Sequence, residues 1–164
     1  MSRQIRKSDY YFGAFLYSTF TNIVKTPVIL YNGDNSQFVQ ITTETGDYTV
    51  FAKYSSKPKS KVKSAKKWDF SFTEREQDII KNFYNENTKN IVALICSEEN
   101  LTNTEVAIID IDSVRLCLGN DSINKNRRIT VGADKGAHCL YYYGTAVSDR
   151  NALKVSRNLY KHFA

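Results

Sequence analysis

Apolar and polar positions alternate along this chain with two different periods, and those periods predict its elements. Residues 9–24 (DYYFGAFLYSTFTNIV) carry large apolar side chains on several faces, Ser8 or Asp9 can cap the start, and Pro27 stops any continuation. The aromatic content also permits a strand. The length and the cap favour a helix with Phe12, Phe15, Leu16, Phe20 and Ile23 as its core face, and a helix apolar nearly all round is expected to be buried. Residues 28–31 (VILY) read as a short strand closed by the turn Asn32-Gly33-Asp34. QFVQITT (37–43) and DYTVFAKYS (47–55) alternate with period two and are joined at Glu44-Thr45-Gly46, where glycine is available for positive φ. Phe38 falls on one face of the first, with Val39, Ile41 and Thr43 on the other. In the second, Tyr48, Val50 and Ala52 oppose Thr49, Phe51 and Lys53.

Alternation resumes at WDFSF (68–72), where Trp68, Phe70 and Phe72 share a face. Thr73-Glu74-Arg75-Glu76 is a capping box, the firmest helix start in the chain, for a helix running to about Tyr84 with Ile79, Ile80 and Phe83 inward. NIVALICS (90–97), continuously apolar between polar turns, predicts a buried central strand, and EVAIIDID (105–112) a further one. A short helix capped by Asp112 or Ser113 follows to Leu118, then a loop over 119–126. RRITVGA and HCLYYYGT form a second hairpin turning at Asp134-Lys135-Gly136. From Ser148 to Phe163 the pattern is helical, with Ala152, Val155, Leu159, Tyr160 and Phe163 opposite Arg150, Lys154, Arg157 and Lys161. The prediction is one α+β domain over residues 1–164, with a mostly antiparallel or mixed sheet, a buried N-terminal helix, a central helix and an amphipathic C-terminal helix.

Composition changes this picture at one place. Residues 57–67 (KPKSKVKSAKK) hold six lysines and no acid, and the formal net charge of the whole chain is +6, so the segment accounts for the entire imbalance. With one proline and a single valine it cannot bury itself, and residues 56–67 are expected to be a mobile loop between two strands. Such a block points to a polyanionic partner, DNA or RNA or a nucleoprotein, held through phosphates. The candidate contacts are Lys57, Lys59, Lys61, Lys63, Lys66 and Lys67, with Arg127, Arg128 and the C-terminal stripe Arg150, Lys154, Arg157 and Lys161 as accessories. The same lysines would also serve to keep a sheet edge from pairing. No aromatic residue interleaves them, which favours tracking of duplex phosphates over stacking on single strands. Tyr141, Tyr142 and Tyr143 lie on a strand and divide between its faces. They pack as core and edge, or stack on bases where exposed beside cations.

Catalytic chemistry is harder to place. Asp110 and Asp112 sit two apart at a strand end and can point to one face, a geometry able to hold Mg²⁺; the simpler assignment makes Asp112 a helix cap and leaves Asp110 in solvent. Glu44, Asp47 and Asp69 also lie near strand ends, where turn chemistry accounts for them. The chain has no Gly-x-Ser-x-Gly elbow and no phosphate-loop motif, and its two histidines, His138 and His162, have no supporting pattern. Cys96, Cys117 and Cys139 are widely spaced in apolar runs, as for buried reduced thiols and not for a disulfide framework or a zinc site. No cofactor is expected. The apolar run after the basic N-terminus is broken by polar residues, so neither a signal peptide nor a bilayer span is expected, and the cytoplasm is the expected compartment. Fourteen asparagines and two prolines fit an AT-rich genome, such as that of a low-GC bacterium or its phage.

The order over residues 9–97 — helix, short strand, strand, strand, helix, strand — resembles the core of the PD-(D/E)XK restriction-endonuclease-like superfamily. Tyr48-Thr49-Val50-Phe51-Ala52-Lys53 looks like its third strand, where the family carries an acid-x-Lys triplet. Lys53 matches the lysine. Phe51 stands at the acid position and cannot bind metal. The resemblance implies nucleic-acid binding, with hydrolysis only if Asp110 and Asp112, or Glu44 and Asp47, supply Mg²⁺ ligands beside Lys53. A third expectation is a phage or mobile-element protein that regulates or inhibits a host nucleoprotein by protein–protein contact, in defence or anti-defence.

Overall fold

A computed structural model describes residues 4–20, 22–62, 64–83, 85–101, 103–119 and 127–159. Lys63, Lys161, His162 and the expected loop beyond Gly119 lie outside them. The architecture is α+β: three helices and ten strands in two sheets among the described residues.

The first sheet joins β1 (Val28–Asn32), β2 (Ser36–Thr43), β3 (Gly46–Ser55), β6 (Lys89–Cys96) and β7 (Glu105–Asp110), in the order β1-β2-β3-β6-β7. Every neighbouring pair is antiparallel except β3 and β6, which run parallel. The second sheet joins β4 (Ser60–Val62), β5 (Ala65–Ser71), β8 (Arg128–Asp134), β9 (Cys139–Gly144) and β10 (Leu153–Ser156), in the order β10-β9-β8-β5-β4, antiparallel throughout. The period-two readings of β2 and β3 hold face by face. Val39, Ile41, Tyr48, Val50 and Ala52 pack with α1 (Lys7–Thr19) through Tyr11, Phe12 and Phe15. Phe51 faces the other way, into a core shared with Trp68 and Phe70 of β5, Val92 and Leu94 of β6 and Ile129 and Val131 of β8. That core also takes in Ile80 of α2 (Glu74–Asn82) and Val114, Cys117 and Leu118 of α3 (Ile111–Leu118). Burying apolar area on both faces of the first sheet is the main stabilising term, at roughly 25 cal/mol per Å².

Five expectations are corrected. The first helix is capped at Arg6, not Ser8 or Asp9, with the Arg6 N–H donating 2.8 Å to the Asp9 carboxylate. It buries one face only, since Tyr10 and Tyr17 stand exposed. The lysine segment is not a loop throughout: residues 56–59 lie outside any strand, but β4 and the start of β5 form a hairpin with Lys61 opposite Lys66. The C-terminal helix is replaced by a 3-10 turn (Asp149–Asn151) and β10. Leu153 and Val155 pack against the inter-sheet core, so strand alternation at these positions buries two apolar side chains against β9 and overrides the helical spacing. Finally, Asp110 and not Asp112 or Ser113 caps α3.

The edge strand β1 exposes Val28, Ile29 and Leu30 by more than half each, and it is blunted by Pro27 before it and a register break between Ile29 and Tyr31. No helix among the described residues is long and apolar enough to cross a membrane.

Candidate functional site

The lysines of the hairpin divide by strand parity. Lys66 shares the inward face of β5 with Trp68 and Phe70, and its ammonium, with that of Lys61, reaches the Glu98 carboxylate at 2.8 and 3.1 Å. The two lysines hold that carboxyl below its usual range. Lys67 points to the opposite, outward face. Lys59 pairs with Asp69 at 2.9 Å. Burial pushes the Asp69 carboxyl up, but the hydrogen bond from Thr130 and the charges of Lys59 and Arg128 outweigh it and hold it low. A block with no acid of its own in sequence is therefore ordered by acids brought from β5, from the β6–β7 loop and from the 3-10 turn.

The outward face of the second sheet can be read from its register. Lys67 lies across from Gly132, Gly132 from Tyr141, and Tyr141 from Lys154; Asp69 lies across from Thr130, and Thr130 from Tyr143. Tyr142 turns inward and is 5 % exposed. Tyr141 and Tyr143 turn outward, with rings parallel to within 8° and centroids 6.5 Å apart. The Lys67 ammonium is 3.3 Å from the Tyr143 hydroxyl, 5.5 Å from the ring centroid and 3.5 Å from Asp149. The hydrogen bond to Tyr143 holds the ammonium above its ordinary range. Gly132 makes room for this arrangement: a Cβ there would stand 2.0 Å from Cζ of Tyr141. A glycine inside an otherwise alternating strand is the sequence signal of such a close approach.

The accessory cations do not act as a group. Arg128 and Lys154 lie on the outward face, and Arg150 is exposed on the 3-10 turn. Arg157 is a clamp: it donates to the carbonyls of Asp134 and Ala137 at 3.1 and 2.9 Å and pairs with Glu105. Arg127 sits at the entry to β8 with its guanidinium against Gly119, and its carbonyl accepts from the Phe72 N–H. Lys57 is exposed at the start of the hairpin. Among the described residues, Lys57, Arg150 and Lys154 take part in no ion pair.

The candidate carboxylates are separated. Asp110 accepts from the backbone N–H and hydroxyl of Ser113 at 2.9 and 2.7 Å. Asp112 is 88 % exposed and reaches Arg115 at 3.5 Å. Glu44 and Asp47 flank the exposed β2–β3 turn. Lys53 is buried against Glu76, a partner that the capping box had already assigned to Thr73. Among the described residues, no group of three or more His, Cys, Asp or Glu stands close enough to hold a metal ion. Cys96 and Cys117 are buried and Cys139 half-buried, all with free thiols. No family model, no curated protein and no solved structure matches this chain.

Proposed function

We propose that this protein binds nucleic acid on the outward face of the β5-β8-β9-β10 sheet and along the lysine hairpin at its edge. The observation that carries the reading is the meeting of Lys67, from the lysine block, with the Tyr143 ring two strands away, beside Tyr141 and its cross-strand neighbour Lys154. Cations supply phosphate contacts and affinity, while aromatic rings add contact with bases. Asp69 and Asp149 lie among these cations, so a phosphate competes with internal pairs at Lys59 and Lys67 and meets Lys57, Lys154 and Arg150 without that competition.

The element order α1-β1-β2-β3, then α2-β6, is the order on which the restriction-endonuclease-like resemblance rests, with the β4–β5 hairpin inserted before α2. On that reading Lys53 is the family's lysine, bonded to Glu76, and the acid position is Phe51, fully buried. Binding without cleavage is therefore the activity proposed.

Fluorescence anisotropy with labelled oligonucleotides over a salt series tests it. Replacement of Lys57, Lys59, Lys61, Lys66 and Lys67 by alanine is expected to weaken binding and to flatten the dependence of log K on log salt, by about 0.7 to 0.9 per lost phosphate contact. Affinity unchanged by the five replacements at low salt sinks the proposal.

A further inference from the structure

We infer that the outward sheet face takes unpaired nucleotides, of DNA or RNA, with bases on Tyr141 and Tyr143 and phosphates at Lys67 and Lys154. The inference rests on the nucleic-acid reading above and narrows it to single strands.

The width of the face is the first reason. From β5 to β10 it spans three strand spacings of about 4.8 Å, roughly 14 Å in all, and both tyrosines lie in its interior on β9. The major groove of duplex DNA is about 12 Å wide and offers only base edges at its floor. A sheet this broad does not enter it, so the two rings cannot reach a paired base. A single strand lying across the sheet can bring its bases to them.

The ring geometry is the second. The two rings form a parallel pair with centroids 6.5 Å apart, and Tyr141 and Tyr143 are each only half-buried, so the pair presents aromatic surface to a base. Gly132 is the only side-chain-free outward position on β8, and Tyr141 extends over it. Without that glycine the ring would be pushed off the strand.

Charge placement is the third. Each tyrosine has its own cation: Lys67 bonds to the hydroxyl of Tyr143, and Lys154 lies directly across from Tyr141 in the β9–β10 register. Base platform and phosphate contact thus recur at both positions along β9, as a chain of alternating bases and phosphates requires.

The test is anisotropy with three fluorescein-labelled probes: oligodeoxythymidylate, oligouridylate, and a mixed-sequence DNA duplex. Either single strand is expected to bind more tightly than the duplex. Tyr141→Ala should weaken single-strand binding by about 5- to 150-fold and duplex binding by much less. Tyr141→Phe, which keeps the ring, should restore affinity. Lys154→Ala should lower the salt slope by about 0.7 without removing the preference for single strands. A wild-type protein that binds the duplex as well as the single strands, with Tyr141→Ala affecting both equally, overturns the inference and leaves nucleic-acid binding standing. No binding to any of the three probes at low salt overturns both.

Discussion

The Lys53 ammonium donates to Glu76 Oε2 at 2.7 Å, joining the C-terminal part of β3 to the first turn of α2, and each side chain is only 3 % exposed. Glu76 also accepts from the Thr73 N–H through Oε1 at 3.0 Å, and Lys53 reaches Asn35 Oδ1 at 3.0 Å and the Phe72 ring at 5.5 Å. Burial pushes the Glu76 carboxyl up, but the Lys53 charge and the hydrogen bonds from Lys53, Thr73 and Ser36 prevail and hold it below its usual value of 4.5. Burial lowers the Lys53 ammonium as well, with Glu76 opposing. Removing one partner strands the other charge in the core. Lys53→Met and Glu76→Gln are each expected to cost about 3–5 kcal/mol in urea denaturation, and the double variant Lys53→Met/Glu76→Leu much less. A carboxyl depressed in the folded state stabilises above its unfolded value and loses that contribution as pH falls through the folded one. The stability gap between wild type and Glu76→Gln should therefore narrow below pH 4.5; a gap that stays constant down to pH 3 would show that the charge is not what stabilises.

Asp110 serves as a helix cap. Asp110→Ala is expected to lower stability by about 1 kcal/mol, through loss of the acceptor for the Ser113 N–H. Thermal melts with and without Mg²⁺ should show the same loss. A Mg²⁺-dependent difference between wild type and variant would reassign the residue to a metal site.

Two glycines should respond differently to the same change. At Gly144 a Cβ would stand 2.6 Å from the Arg128 carbonyl oxygen and 2.8 Å from that of Cys117, both fixed backbone. Gly144→Ala is expected to cost about 1–3 kcal/mol. At Gly132 the obstacle is the far end of the Tyr141 side chain, which can swing away. Gly132→Ala should cost under about 1 kcal/mol while moving the Tyr141 ring, seen as shifted ring resonances in NMR. Equal losses at both positions would mean that the Tyr141 ring is held as rigidly as the backbone.

The thiols should differ in reactivity. Burial raises Cys96 well above its ordinary range and Cys117 to about 11, whereas Cys139 is only half-buried. Titration with a thiol-reactive disulfide reagent near pH 8 is expected to modify Cys139 alone in the folded protein and all three in urea. Prompt modification of a second thiol without denaturant would contradict the packing of the inter-sheet core.

Local rules were legible where one short segment decides the outcome. The β2–β3 hairpin, the capping box of α2 and the buried run of β6 follow from alternation, from a four-residue hydrogen-bond pattern and from continuous apolarity. The α3 cap is Asp110 and not the expected Asp112 or Ser113: all three side chains can accept from a free N–H, and only the end of β7 decides which one does. Pairing partners distant in sequence were not legible. Val155 fits the helix stripe but Leu153 does not; the two, spaced by two, share a strand face, and pairing with β9 selected the strand.

The candidate site divides the same way. Composition and alternation alone place six lysines together without an acid and require that three tyrosines on one strand split between two faces. Which tyrosines face outward, and that Lys67 meets one of them, depends on the pairing of strands distant in the chain. The tertiary structure also supplies Glu98, Asp69 and Asp149 as the lysines' counter-charges. Charge and alternation are properties of one segment, whereas hydrogen-bonded register between β5, β8 and β9 sets which side chains share a surface, and that register is fixed by the burial of Trp68, Ile129, Val131 and Tyr142 on the opposite face.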